Sequence, residues 1–114
     1  MDETVAYKIL TAEQLAELEE GRFDGAPVDK ADGYIHLSTC TQVTETVDKH
    51  FGGQDGLSIA AVDLAARGDA VRWEESRGGQ LFPHLYGPLT LDAVIAYSGV
   101  HRLEDGTVML PVAG

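Results

Sequence analysis

In the segment Asp32-Gly33-Tyr34-Ile35-His36-Leu37-Ser38-Thr39, a histidine and two hydroxyls crowd into a short apolar stretch that opens on a turn. Side chains on a strand switch face at every residue, so Ile35 and Leu37 point one way while Tyr34, His36 and Ser38 point the other. With the aliphatic pair toward a core, the polar row lines a cleft, where His36 can act as a base or bond a ligand. The same residue also fits a half-buried histidine bonded to backbone. Ser38, Thr39 and Thr41 stand where the strand would pass into a helix. Free amides at a helix start favour an anion such as a phosphate, although plain capping accounts for one of the three hydroxyls.

Two further segments concentrate unusual side chains. Val71-Arg72-Trp73-Glu74-Glu75-Ser76-Arg77 holds the single tryptophan of the chain. On a strand Trp73 and Glu74 face opposite ways and Glu75 shares the Trp73 face, so one glutamate alone joins His36. A carboxylate beside an aromatic wall serves as general base or holds a ribose hydroxyl; as a surface group it does neither. Arg72 with Arg77 is the best candidate for a local basic pocket. Leu81-Phe82-Pro83-His84-Leu85-Tyr86-Gly87 reads as an aromatic loop. It either lines a ligand pocket with His84 and Tyr86 or packs over a core edge. The expectation is that His36, Trp73 and His84 converge on one concave surface. No pair of histidines has metal-ligand spacing, so no metal is expected.

The elements that must position these residues follow from periodicity and punctuation. At 114 residues, with 44% hydrophobic and 24% charged residues, the chain reads as one globular domain over residues 1–114. A net charge of −11 disfavours nucleic acid, whose phosphates need Lys and Arg. The lone Cys40 rules out an internal disulfide and a cysteine-based zinc site, and reads as a small buried or half-buried residue. No apolar run approaches the roughly 20 residues of a membrane span. Met1-Asp2-Glu3 opens with acid where a signal peptide opens with base, so the expected location is cytoplasmic.

Val5 to Leu10 reads as a strand, and Thr11 with Gln14 as a capping box opening a helix that stops at Gly21. Residues 22–30 read as a loop. Tyr34 to Leu37 is a short strand, followed by a helix to about His50 that Ser38, Thr39 or Thr41 would cap, with Val43, Val47 and Phe51 inward. Leu57 to Leu64, Val71 to Glu75 and Leu91 to Ser98 read as strands, and Thr107 to Leu110 closes a hairpin after Glu104-Asp105-Gly106. That order predicts an α+β fold, with two main helices packed on a largely antiparallel or split sheet.

Tyr7-Lys8-Ile9-Leu10, Asp32 to Thr39, Arg72-Trp73-Glu74 and Phe82 to Gly87, in that order, resemble the bacterial family called domain of unknown function 952 over nearly the whole chain. That family looks like a small relative of the ADP-ribosyltransferase fold, in which NAD lies in a cleft of a split β-sheet. Tyr34-Ile35-His36-Leu37-Ser38 is similar to the strand carrying a histidine and serine in RNA 2′-phosphotransferases of that superfamily. The resemblance implies an ADP-ribosylation-like fold and a cleft for NAD, as substrate, or an ADP-ribose-like nucleotide. His36 and Glu74 would be catalytic. His36 would also hold the ribose, Ser38 and Thr39 the phosphate or ribose, and Tyr34, Trp73 and Tyr86 the rings, with Arg72 and His84 completing the ligand contacts. The transferases' late-strand glutamate and the RNA enzymes' arginine set have no matching arrangement here. A non-catalytic small-molecule-binding or interaction module and a hydrolase using His36 or His84 as base are the alternatives.

Overall fold

A computed structural model describes residues 4–111, so the opening Met1-Asp2-Glu3 lies outside the described residues. The chain begins with β1 (Val5–Leu10) and α1 (Ala12–Glu19). The capping box forms as expected: the Gln14 N–H donates to Thr11 Oγ1 at 3.2 Å, and the Thr11 N–H donates to Gln14 Oε1 at 3.0 Å. Residues 22–30, expected as a loop, instead run into the helix α2 (Pro27–Asp32), with proline in its first turn and Gly33 closing it at a left-handed φ of 88°. A helix under two turns leaves no periodicity in the sequence; only the proline and glycine at its ends mark it. The remaining elements are β2 (Ile35–His36), α3 (Val43–His50), β3 (Ser58–Asp63), β4 (Val71–Glu75), β5 (Leu81–Leu85) and β6 (Val94–Gly99).

The strands form two antiparallel three-stranded sheets, in the orders β1-β3-β6 and β2-β5-β4, and the fold is α+β. An isolated bridge between Tyr7 and Ser38 joins them, with N–H···O distances of 2.7 and 2.9 Å. Pro83 explains why β2 stops at His36 rather than running on to the expected Leu37. The Leu37 N–H donates to Pro83 O at 3.1 Å, but proline has no N–H to return. The ladder therefore stops, and Ser38 turns to Tyr7. The same proline is why Phe82 to Leu85 reads as a loop in sequence and is in fact the central strand β5.

Alternation along β1 sets the two cores. Ala6 and Leu10 face Ile35, Leu37 and Leu85 of the second sheet, with Leu18 and Phe23 between. Ile9 and Ile59 face the other way, onto Val43 and Val47 of α3. The hydroxyls expected to cap α3 do not. Its first turn is preceded by Gln42, whose amide instead accepts from the Thr39 N–H and donates to Leu81 O. Cys40 lies exposed in the turn before α3, not buried. Leu91–Ala93 is a 3-10 turn ahead of β6. The hairpin expected around Glu104-Asp105-Gly106 closes as a single Arg102–Val108 bridge rather than as paired strands.

Candidate functional site

Cross-strand register puts His36 opposite His84 and His84 opposite Arg72, and directly opposed residues share a face. Two residues along, Glu74 lies on that face as well, while Ile35, Leu85 and Val71 occupy the core side. The second sheet thus carries a polar face across all three strands.

His36 is held from both ends. Its Nδ1 lies 2.6 Å from Asp29 Oδ1, and its Nε2 lies 2.9 Å from Asp32 Oδ2. Asp29 is 1% exposed and is the hub of the arrangement. It accepts from the backbone N–H of His36 at 3.1 Å and from the Ala26 N–H at 2.8 Å, and it pairs with Lys8 Nζ at 2.9 Å. Lys8 sits between Ala6 and Leu10 on the inward face of β1 and is 5% exposed, so it needs that partner. It also donates to His36 O at 3.2 Å, so one buried ion pair ties β1 to α2 and β2. Gly25 makes room for it: a Cβ there would lie 3.0 Å from Asp29 Cβ, and its φ of 128° disfavours any side chain.

Burial alone would raise the Asp29 carboxyl, but the His36 bond, the Lys8 charge and bond, and the Ala26 N–H outweigh it and hold it at about 2. Burial lowers the Lys8 ammonium, against the pull of Asp29. Asp29, its carboxyl held low, accepts, so the His36 ring donates to it through Nδ1, and Nε2 is left facing Asp32.

His84 is the buried counterpart, 1% exposed, with Nδ1 at 2.7 Å from Glu74 Oε1. Tyr86 Oη donates to the same oxygen at 2.8 Å. The bonds from His84 and then Tyr86 lower the Glu74 carboxyl, and the Glu74 bond raises the Tyr86 phenol. Tyr34 stacks on His84 with ring centroids 4.1 Å apart and touches the His36 and Tyr86 rings at 4.7 and 5.2 Å. The Arg72 guanidinium lies 5.2 Å from the Tyr86 ring centre. His84 Nε2 is buried without a hydrogen-bond partner among the described residues. His36, with 31% of its side chain exposed, is the histidine a ligand can reach.

Of the residues singled out in the sequence, His36, His84, Tyr34, Tyr86, Glu74 and Arg72 come together on this face. Trp73 does not. It pairs with Pro83 on the opposite side of the sheet, so the expected convergence of His36, Trp73 and His84 is reduced to the two histidines. Ser38 and Thr39 are also elsewhere: both are buried, their hydroxyls bonded to Thr46 and Thr41. The Arg77 side chain lies outside the described residues. Lys8, Asp29 and Asp32 are site residues that sequence reasoning missed. The signal for Lys8 was an alternation that puts it inward with Ala6 and Leu10. Among the described residues no group of three or more His, Cys, Asp or Glu is placed to hold a metal ion. No helix among them is long and apolar enough to cross a membrane.

A hollow of about 360 Å³ opens beside the histidine face, with Tyr34, Asp29, Gly33, Gly87 and Pro88 in its wall. A larger one, about 420 Å³, lies on the far side between the end of α3 and β6, lined by Val47, Phe51, Leu57 and Val100. Volume favours the second, and neither His36 nor His84 lines the first; but Tyr34 and Asp29 in the wall of the first also contact those histidines and join it to their face. We therefore place the candidate site there.

The two-sheet α+β architecture recurs in solved structures, and the sequence matches a family of unknown function. The family described as "Protein of unknown function (DUF952)" matches residues 9–97, and the chain belongs to that family. Three solved structures of protein CC0527 from Caulobacter crescentus are similar to it. The crystal structure is 42% identical, covers 94% of this chain and 95% of that one, and superposes with a TM-score of 0.84. A crystal structure of its double mutant gives 42% identity, the same coverage and 0.83. The solution NMR structure gives 43% identity, 93% and 91% coverage, and 0.77. No curated protein matches.

Proposed function

We propose that the His36/His84 face binds a nucleotide of the NAD or ADP-ribose class, with ADP-ribosyl transfer as its chemistry. The observation that supports it is the pairing of each histidine with a carboxylate on one sheet face walled by Tyr34 and Tyr86. The tyrosine rings offer stacking surfaces for a base or nicotinamide, His36 and Arg72 offer donors to the sugar–phosphate part, and Glu74 offers a carboxylate to a ribose. Ser38 and Thr39, already bonded to other threonines, drop out of the contact set, as does Trp73.

A transferase must stabilise a ribose that becomes oxocarbenium-like as nicotinamide leaves. Glu74 is a half-exposed carboxylate on the face, lowered and oriented by His84 and Tyr86, and it fits that task. His84 is a poor general base for a hydrolase, because its Nε2 is buried and its ring is covered by Tyr34. The non-catalytic reading keeps the same contacts without turnover.

Calorimetry with ADP-ribose tests the binding. His36→Ala should weaken it by up to about tenfold, the scale of one hydrogen bond. The melting temperature should stay close to wild type, since Asp29 keeps Lys8, Ala26 and the backbone N–H of residue 36. Unchanged binding with a large loss of melting temperature would make His36 structural. Incubation with NAD tests the chemistry: nicotinamide should be released slowly, and Glu74→Gln should cut the rate by about 10²-fold or more. Binding without release above the uncatalysed background would leave a binding module.

A further inference from the structure

His36 presents two nitrogens with different fates. Nδ1 is fixed inside the protein by Asp29, which is buried and locked by Lys8, Ala26 N–H and the His36 backbone. Nε2 points to Asp32 Oδ2 at 2.9 Å, and Asp32 is 45% exposed at the last position of α2. Exposed ion pairs are weak and readily replaced. The other groups around the ring are Tyr34 at 4.7 Å and His84 at 5.5 Å between centroids, with Lys8 at the His36 carbonyl. Of the two carboxylates bonded to this ring, Asp32 is therefore the one that solvent and a ligand can reach.

We propose that Asp32 occupies the place of a ligand's anionic oxygen, so that His36 Nε2 is a phosphate-oxygen contact for which Asp32 and the ligand compete. The inference rests on reading this face as a ligand site, and it narrows that reading: His36 meets the phosphate part rather than a ribose hydroxyl. The geometry supports it in three ways. A carboxylate already sits at hydrogen-bond distance from Nε2, so an acceptor oxygen is accommodated there. The buried Asp29–Lys8 pair keeps the ring from turning when that acceptor changes. Asp32 stands at the exposed end of α2, so it can yield Nε2 to a competing oxygen at small cost. Asp29 and Lys8 act here as positioning residues, through His36.

The test uses the whole protein with labelled histidine rings, titrated with inorganic pyrophosphate and followed by NMR. In wild type the His36 ring signals should move. Asp32→Ala should bind pyrophosphate about two- to fivefold more tightly, the scale of one exposed charge pair removed. Asp32→Asn, which keeps an acceptor without the charge, should fall between the two and serves if the alanine variant does not fold. Unmoved His36 signals, or equal or weaker affinity in the Asp32 variants, overturn the proposal. ADP-ribose is titrated in parallel. Pyrophosphate acting at His36 while ADP-ribose binds nowhere would leave this inference standing and sink the nucleotide reading. ADP-ribose binding with His36 untouched by pyrophosphate would do the reverse.

Discussion

The two sheets have the same number of strands and the same antiparallel pairing, yet they solve opposite problems. In β1-β3-β6 the central strand buries Ile59, Ala60, Ala61 and Val62, and both its faces are covered by apolar neighbours. In β2-β5-β4 the central strand gives Leu85 to the core on one side and His84 to a polar face on the other. Where a charge does enter the first sheet, at Lys8, it reaches toward the second and is neutralised there by Asp29. The first sheet is mainly apolar scaffold, and the second carries the titratable face, with His84 buried in it. Clusters of paired titratable groups occur at functional sites and in structural networks alike, and the proposed function takes the first reading.

The contrast breaks most visibly if Asp29 is removed. Asp29→Ala leaves the Lys8 ammonium buried and unpaired, and we expect a loss of about 3–5 kcal/mol in chemical denaturation. Adding Lys8→Met to that variant should recover part of the loss, because the stranded charge goes with it. Glu74→Gln, on the exposed rim, should leave the denaturation midpoint almost unchanged. If Asp29→Ala and Glu74→Gln cost the same, the buried pair is not what joins the sheets.

Acid should expose the same pair. The Asp29 carboxyl is held at about 2 against an ordinary value of 3.8, so the unfolded chain binds the proton first as pH falls. Its stabilisation is thus complete above about pH 4 and lost on the way down through pH 2, roughly 2 kcal/mol in all. Carbon-detected NMR should give an Asp29 midpoint near 2; an ordinary carboxylate midpoint would contradict the network.

The smallest expected effect sharpens the contrast between the two sides of the second sheet. Trp73→Ala should change ADP-ribose affinity by less than about twofold, whereas Tyr34→Ala, which removes the ring stacked on His84, should weaken it several-fold. Equal losses would put the ligand around the sheet edge rather than on the histidine face.

Much of this was legible in the chain. β1, β3 and β4 and the Thr11–Gln14 cap announced themselves because alternation and capping are local rules. Strand alternation also separated Trp73 from Glu74, and once Glu74 joined His84, Trp73 had to leave the face. What escaped depended on distant partners. α2 is too short for a pattern, and Pro83 disguised β5. Asp29 looks like one more acid in an acidic chain until the fold brings Lys8, 21 positions earlier, to its side. The hydroxyls at Ser38 and Thr39 looked available because sequence shows their chemistry but not that Thr46 and Thr41 already engage them.

The central claim, that the His36/His84 face is a nucleotide site, is tested most directly by titrating ADP-ribose into labelled protein and following the histidine, tyrosine and tryptophan rings together. Saturable shifts are expected at His36, His84, Tyr34 and Tyr86, with the Trp73 indole and the hollow around Phe51 and Val100 unaffected. No shift at millimolar ligand, or shifts confined to that far hollow, would contradict it.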